Sequence, residues 1–196
     1  MTTNRLEAFS DGVLSIIITI MVLEIKVPEI NDFSGLAYLL PKFLSYIFSF
    51  LYVGIYWNNH HHLFQAIEKV TGKILLANLN LLFWLSLIPF ATGWIGESHF
   101  AANPTTFYCF ILLVCAISFL TLENCVIKSE GKNTKISIAL DAHKKEKISL
   151  LLYVISFIIS FFYSFISLII VYAIAVIWII PDKRIEKVLH QKNEEL

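Results

Sequence analysis

RLEAFSDGVLSIIITIMVL, residues 5–23, crowds an Arg, a Ser and an Asp around Phe9 and then runs apolar to Leu23 except for two hydroxyl side chains. A charged group facing lipid at the centre of a membrane helix costs about 2.5–3.5 kcal/mol, so Asp11 is expected to face protein or water. On a 3.6-residue period Ile16, Thr19 or Ile20, and Leu23 share one stripe. Such a stripe either packs against other helices or lines a narrow dry pore. One helix encloses a pore only when several copies surround an axis.

The rest of the chain agrees with a membrane setting. Of 196 residues, 57% are hydrophobic and 15% charged, and the mean hydropathy is +0.72. Soluble domains carry about 25% charged residues, so this composition points to the bilayer. The formal net charge is zero and no basic tract or nucleic-acid-binding motif is present, which sets that class of partner aside. Cys109, Cys115 and Cys125 lie in or beside one apolar stretch without a CxxC pair and read as small core residues. No A-x-A-like site closes the first apolar run, so no cleavable signal peptide is expected.

A membrane helix needs about 20 mostly apolar residues. That rule predicts an all-α polytopic membrane protein, a single domain over residues 1–196, with six transmembrane helices near 6–27, 41–65, 74–96, 105–127, 148–162 and 165–180. Asn4 and Glu7 resemble a capping box, and Pro28 ends the first helix. Pro41 suits the first turn of the second, and Pro89 should kink the third. The block Ile148–Ile180 is too long for one span, and charge placement decides it. Six spans with a cytosolic N-terminus put thirteen basic residues inside and two, Lys26 and Lys42, outside. The positive-inside rule favours that layout, with both termini cytoplasmic.

Trp57 to His62, WNNHHH, is the most polar cluster in any expected span. Three successive helical His point about 100° apart, so one zinc ion cannot take all three, and no HExxH accompanies them. Hydrogen bonding to adjacent helices is the expected role, because buried polar groups in a membrane find partners inside the protein. A membrane metalloenzyme using His60–His62 is the rival reading. A secondary transporter ranks lower, since Pro89 is the one break and no matching second half appears. Asn78 and Asn80 are further interhelical candidates. No nucleophile with a base stands out, so no enzyme activity, metal or cofactor is expected, and no TVGYG-type filter is present.

At this point the motifs resemble those of a family. RLEAFSDG at Arg5–Gly12 is similar to the R-x-x-x-F-S-D signature of bacterial relatives of the lysosomal potassium channel, the transmembrane protein 175 family. Trp57-Asn58-Asn59-His60-His61 resembles its W-x-x-H-H pattern, and Asn78 with Pro89-Phe90-Ala91-Thr92 resembles its N…PFxT pattern. The similarity is strong over residues 5–27 and rests on hydropathy alone after residue 105. It implies a potassium-selective, leak-like channel of the bacterial inner membrane, a homotetramer passing potassium and other monovalent cations, with the first helix lining a central pore. Carried over by position, Ile16, Thr19 (or Ile20) and Leu23 form the constriction. Arg5, Phe9, Ser10 and Asp11 form the network holding the pore helix, supported by Trp57, His60 and Asn78. Apolar rings would gate by excluding water, Thr19 would offer hydroxyl oxygens, and Arg5 would satisfy Asp11.

Overall fold

The computed structural model describes residues 2–28, 32–67, 69–131 and 144–179, and these are helical throughout apart from their connections. In chain order the helices are α1 (Thr3–Leu23), α2 (Phe33–Tyr38), α3 (Leu40–Ala66), α4 (Gly72–Leu85), α5 (Ile88–Glu97), α6 (Ala102–Glu130), α7 (Lys144–Ser160) and α8 (Ser164–Ile179). Helix α1 packs on α3, α4 and α5, and α6 lies between α4 and the α7–α8 pair. One apolar core runs through them, from Leu6 and Leu14 in α1 through Leu81 and Leu112 to Val171 and Ile174 in α8.

The fold is all-α and multi-pass, but the expected count of six membrane-spanning helices is corrected to three candidates among the described residues. Thr3–Leu23, Gly72–Glu97 and Ala102–Glu130 are long and apolar enough. Helix α3 has the length, at 27 residues, but carries Ser, Tyr, Asn and His along its course. The final block divides into helices of 17 and 16 residues, each short of the about 20 a span requires.

Local chemistry explains most boundaries. Helix α1 begins at Thr3 and ends at Leu23, with no side-chain cap on Thr2, so the expected Asn4–Glu7 capping box does not form. Its end comes before Pro28, where Glu24 and Ile25 donate back to Ile20 and Val22 and tighten the last turn. Asp32 caps α2 by accepting from both the amide and the hydroxyl of Ser34. Those two donors hold its exposed carboxyl below the usual carboxylate range. Pro41 sits in the first turn of α3 as expected. Pro89 has no N–H to give the preceding turn, and Gly72–Glu97 accordingly breaks at Ser86–Leu87 into α4 and α5. Cys109 and Cys115 are buried, Cys125 is half-buried, and all three are free thiols. Glu123 is buried in α6.

Candidate functional site: the network on the first helix and its exposed face

Helix α1 has two faces. Leu6, Ser10, Leu14, Ile17 and Met21 follow a three-to-four-residue spacing and are buried against the rest of the chain. On another face Ile16 is 58% exposed, Ile20 42% and Leu23 77%, and Thr19 is exposed between them. The Thr19 hydroxyl donates to the Ile16 carbonyl at 2.9 Å, which uses its proton and leaves its oxygen as an acceptor.

Three hydrogen-bonded sets tie the first half of α1 to α3 and α4. His60 Nε2 lies 2.8 Å from Asn78 Oδ1, and Asn78 Nδ2 donates to Ser10 Oγ at 2.9 Å. Ser10 Oγ in turn donates to the Leu6 carbonyl at 3.0 Å. Because Asn78 presents its oxygen, His60 carries a proton on Nε2, while its buried Nδ1 has no hydrogen-bond partner. Ser10, Asn78 and His60 are all buried, so each lost partner would strand a polar group in an apolar interior.

The other two sets lie nearer the surface. Trp57 Nε1 donates to Asp11 Oδ1 at 3.0 Å. His61 Nδ1 is 2.6 Å from Glu7 Oε1, and Gln65 Nε2 donates to His61 Nε2 at 2.8 Å. The Trp57 and His61 rings stack at 5.9 Å between centroids. Glu7 and Asp11 are four residues apart on α1, as are Trp57 and His61 on α3, so two antiparallel helices present a matched ladder.

Ser10, Asp11, Trp57, His60 and Asn78 therefore meet in space. Arg5 and Phe9 do not join them: both are exposed, and the expected Arg5–Asp11 ion pair does not form. Six residues on a helix turn through about 600°, which leaves the two side chains about 120° apart around the axis. Glu7, His61 and Gln65 lie outside the expected network, although the shared spacing of four is a signal the sequence carries. The three imidazoles diverge as their positions on a helix require. His60 reaches Asn78, His61 reaches Glu7 and Gln65, and His62 Nδ1 is buried without a partner. No group of three or more His, Cys, Asp or Glu that could hold a metal occurs among the described residues.

The far half of α1 meets α5 and α3. Thr92 Oγ1 is 3.9 Å from Met21 Sδ, and Glu24 lies over Gly93. A cleft of about 840 Å³ opens there between Ile16 and Ile20 on one side and Phe90 and Trp94 on the other. Its charged lip includes Glu24, Lys26 and the Lys42–Glu97 ion pair.

Comparison with known proteins fits this arrangement. The family profile described as "Endosomal/lysosomal potassium channel TMEM175" matches residues 5–89, which hold every residue of the network. A potassium channel of Chryseobacterium sp. (strain P1-3) is 59% identical over 191 residues, covering 97% of this chain and 100% of the relative. The endosomal/lysosomal proton channel TMEM175 of Homo sapiens is 36% identical over 132 residues, 61% of this chain and 26% of the human protein. The crystal structure of a lysosomal potassium-selective channel TMEM175 homolog from Chamaesiphon minutus superposes with a TM-score of 0.80 at 30% identity, covering 92% of this chain and 97% of that one. Near-complete coverage by a relative of such identity, with the network built from the profile's own segment, makes this chain a bacterial member of the TMEM175 potassium-channel family.

Proposed function

We propose that the chain forms a potassium-selective, leak-like cation channel in which the exposed face of α1 lines the pore of a homotetramer. The observation that carries this reading is the division of α1 into two faces. Its buried face is fixed by Leu14, Ile17 and Met21, while Ile16, Ile20 and Leu23 face away from the protomer. Brought together around an axis, Ile16 and Leu23 make apolar rings that exclude water from a narrow pore, with Thr19 or Ile20 between them. The Thr19 hydroxyls offer oxygen ligands to a partly dehydrated cation. Potassium as the permeant ion rests on what the bacterial relatives are called. The human relative is named a proton channel, so proton flux is measured beside it.

Orientation follows from charge. Arg5, Lys69 and Lys73 lie at the end of the bundle where Glu7 meets His61, and Lys145 sits over Trp178 at that same end, where Trp178 and Asn59 share a small cavity. The positive-inside rule assigns this end to the cytoplasm of a bacterial inner membrane, and with it both chain ends. The ladder and the buried His60–Asn78–Ser10 chain hold the cytosolic half of α1 rigidly, which a gate made of side-chain rings requires. Attaching a bulky thiol reagent to Leu23→Cys in reconstituted protein should abolish cation flux. Unchanged flux after complete modification would refute a pore along this face.

A further inference from the structure

Helix α5 cannot inherit its direction from α4. The break at Ser86–Leu87 interrupts the helix, and Pro89 has no N–H to bridge it. Yet α5 carries the surface on which the outer half of α1 rests, with Thr92 against Met21 and Gly93 beneath Glu24. Something else must set its position. Three buried hydroxyls meet on it: Tyr108 of α6 and Ser49 of α3 are 3.0 Å apart, and Ser49 and Thr92 are 2.7 Å apart. Thr92 Oγ1 also lies 2.7 Å from the Ile88 carbonyl, in the first turn after the break.

Thr92 is the hub of the set: its hydroxyl is the donor in both short contacts, to Ser49 Oγ and to the Ile88 carbonyl, and its one proton is shared between them. Ser49 and Tyr108 extend the set to α6, and either hydroxyl can donate there. All three groups are buried, so each lost partner strands a polar group in an apolar interior. We infer that this buried hydroxyl set fastens α5 to α3 and α6, and that Thr92 is thereby a positioning residue for the outer half of the pore helix, residues 20–24. The inference rests on the reading of α1 as the pore helix. The inner half of α1 has its own fastening in Asn78 and Trp57, so the two halves are held by separate networks.

The test uses the full-length chain in liposomes with a single cysteine introduced at Leu23→Cys or, as a control on the inner half, at Ser15→Cys. Labelling by a water-soluble thiol reagent is read by mass at that peptide, with and without Thr92→Val. Thr92→Val keeps the shape but removes the donor to both the Ile88 carbonyl and Ser49. The Leu23→Cys labelling rate should change about fivefold or more, the population change expected when a buried hydroxyl loses its partner, while Ser15→Cys stays constant. Thr92→Ser should restore the original rate. Should Thr92→Val not assemble, Ser49→Ala breaks the same set, and Tyr108→Phe, which leaves both Thr92 donations intact, should have the smaller effect. Equal labelling with and without Thr92→Val, equal change at both cysteines, or failure of Thr92→Ser to restore would overturn the inference. Potassium flux from liposomes holding the wild-type chain separates the two ideas. A labelling shift without wild-type flux retires the pore and keeps the fastening; flux without a labelling shift retires the fastening alone.

Discussion

Replacing Asn78 by Leu is the sharpest perturbation of the network, because Asn78 is fully buried (0% exposed) and its amide serves α1 and α3 at once. Leu preserves the bulk and removes both polar ends. Two interhelical hydrogen bonds disappear, at about 0.6 kcal/mol each by the average measured inside membranes. The greater loss comes from the stranded His60 N–H, which costs about 1–3 kcal/mol when no acceptor replaces the amide oxygen. Moving the proton to Nδ1 gives no relief, since that nitrogen is buried without a partner as well. Together these losses destabilise the fold by about 2–4 kcal/mol. Equilibrium unfolding in bicelles measures it directly. Combining Asn78→Leu with His60→Phe removes the stranded group, and the double variant should recover about 1–2 kcal/mol over Asn78→Leu alone. A single variant within about 0.5 kcal/mol of wild type, or a double variant showing simple addition of the two losses, would refute this reasoning.

Other outcomes follow from the same structure. A Cβ on Gly96 would come 2.5 Å from Ser45 Oγ and 3.0 Å from the Lys42 backbone, whereas one on Gly93 meets nothing nearer than 3.6 Å. Gly96→Ala should therefore cost about 1–3 kcal/mol and Gly93→Ala much less, in the same unfolding assay. His99 and Phe100 both have positive φ, at 52° and 62°, in the turn between α5 and α6. His99→Gly should raise stability, by up to about 1 kcal/mol, since exposed His99 gives up little packing there. The Asp32 cap has a depressed carboxyl pKa, so its contribution is present above the usual carboxylate range and is lost as pH falls through the depressed value. Amide exchange at Ser34, corrected for its intrinsic pH dependence, should accelerate in acid.

The residues that make α1 readable are those whose partners obey its own periodicity. Met21, Ile17 and Leu14 on one face, and Ile16, Ile20 and Leu23 on another, are separable by spacing alone. Pro89 announces the α4–α5 break because a missing N–H is a local fact. Partnerships across helices are harder. Glu7 has the spacing of a capping residue, but His61 offers its carboxylate a stronger partner than a backbone amide at the helix start. An Arg5–Asp11 pairing ignores the helical angle between them. The count of spans fails where composition and length conflict: α3 is long but polar, and α7 and α8 are apolar but short. Their turn at Phe161–Tyr163 contains neither Pro nor Gly, so no local breaker marks it. Ser49, Thr92 and Tyr108 are invisible as a set because each is an isolated hydroxyl in an apolar run, and only the fold brings them together.

The most direct test of the account is ion flux through purified protein in liposomes, potassium against sodium, for wild type and for Ile16→Asn combined with Leu23→Ala. The account predicts potassium flux above sodium in wild type and a changed rate or ion preference in the variant, with the oligomer intact. Absence of flux under either gradient from folded, oligomeric protein, or flux indifferent to both substitutions, would contradict it.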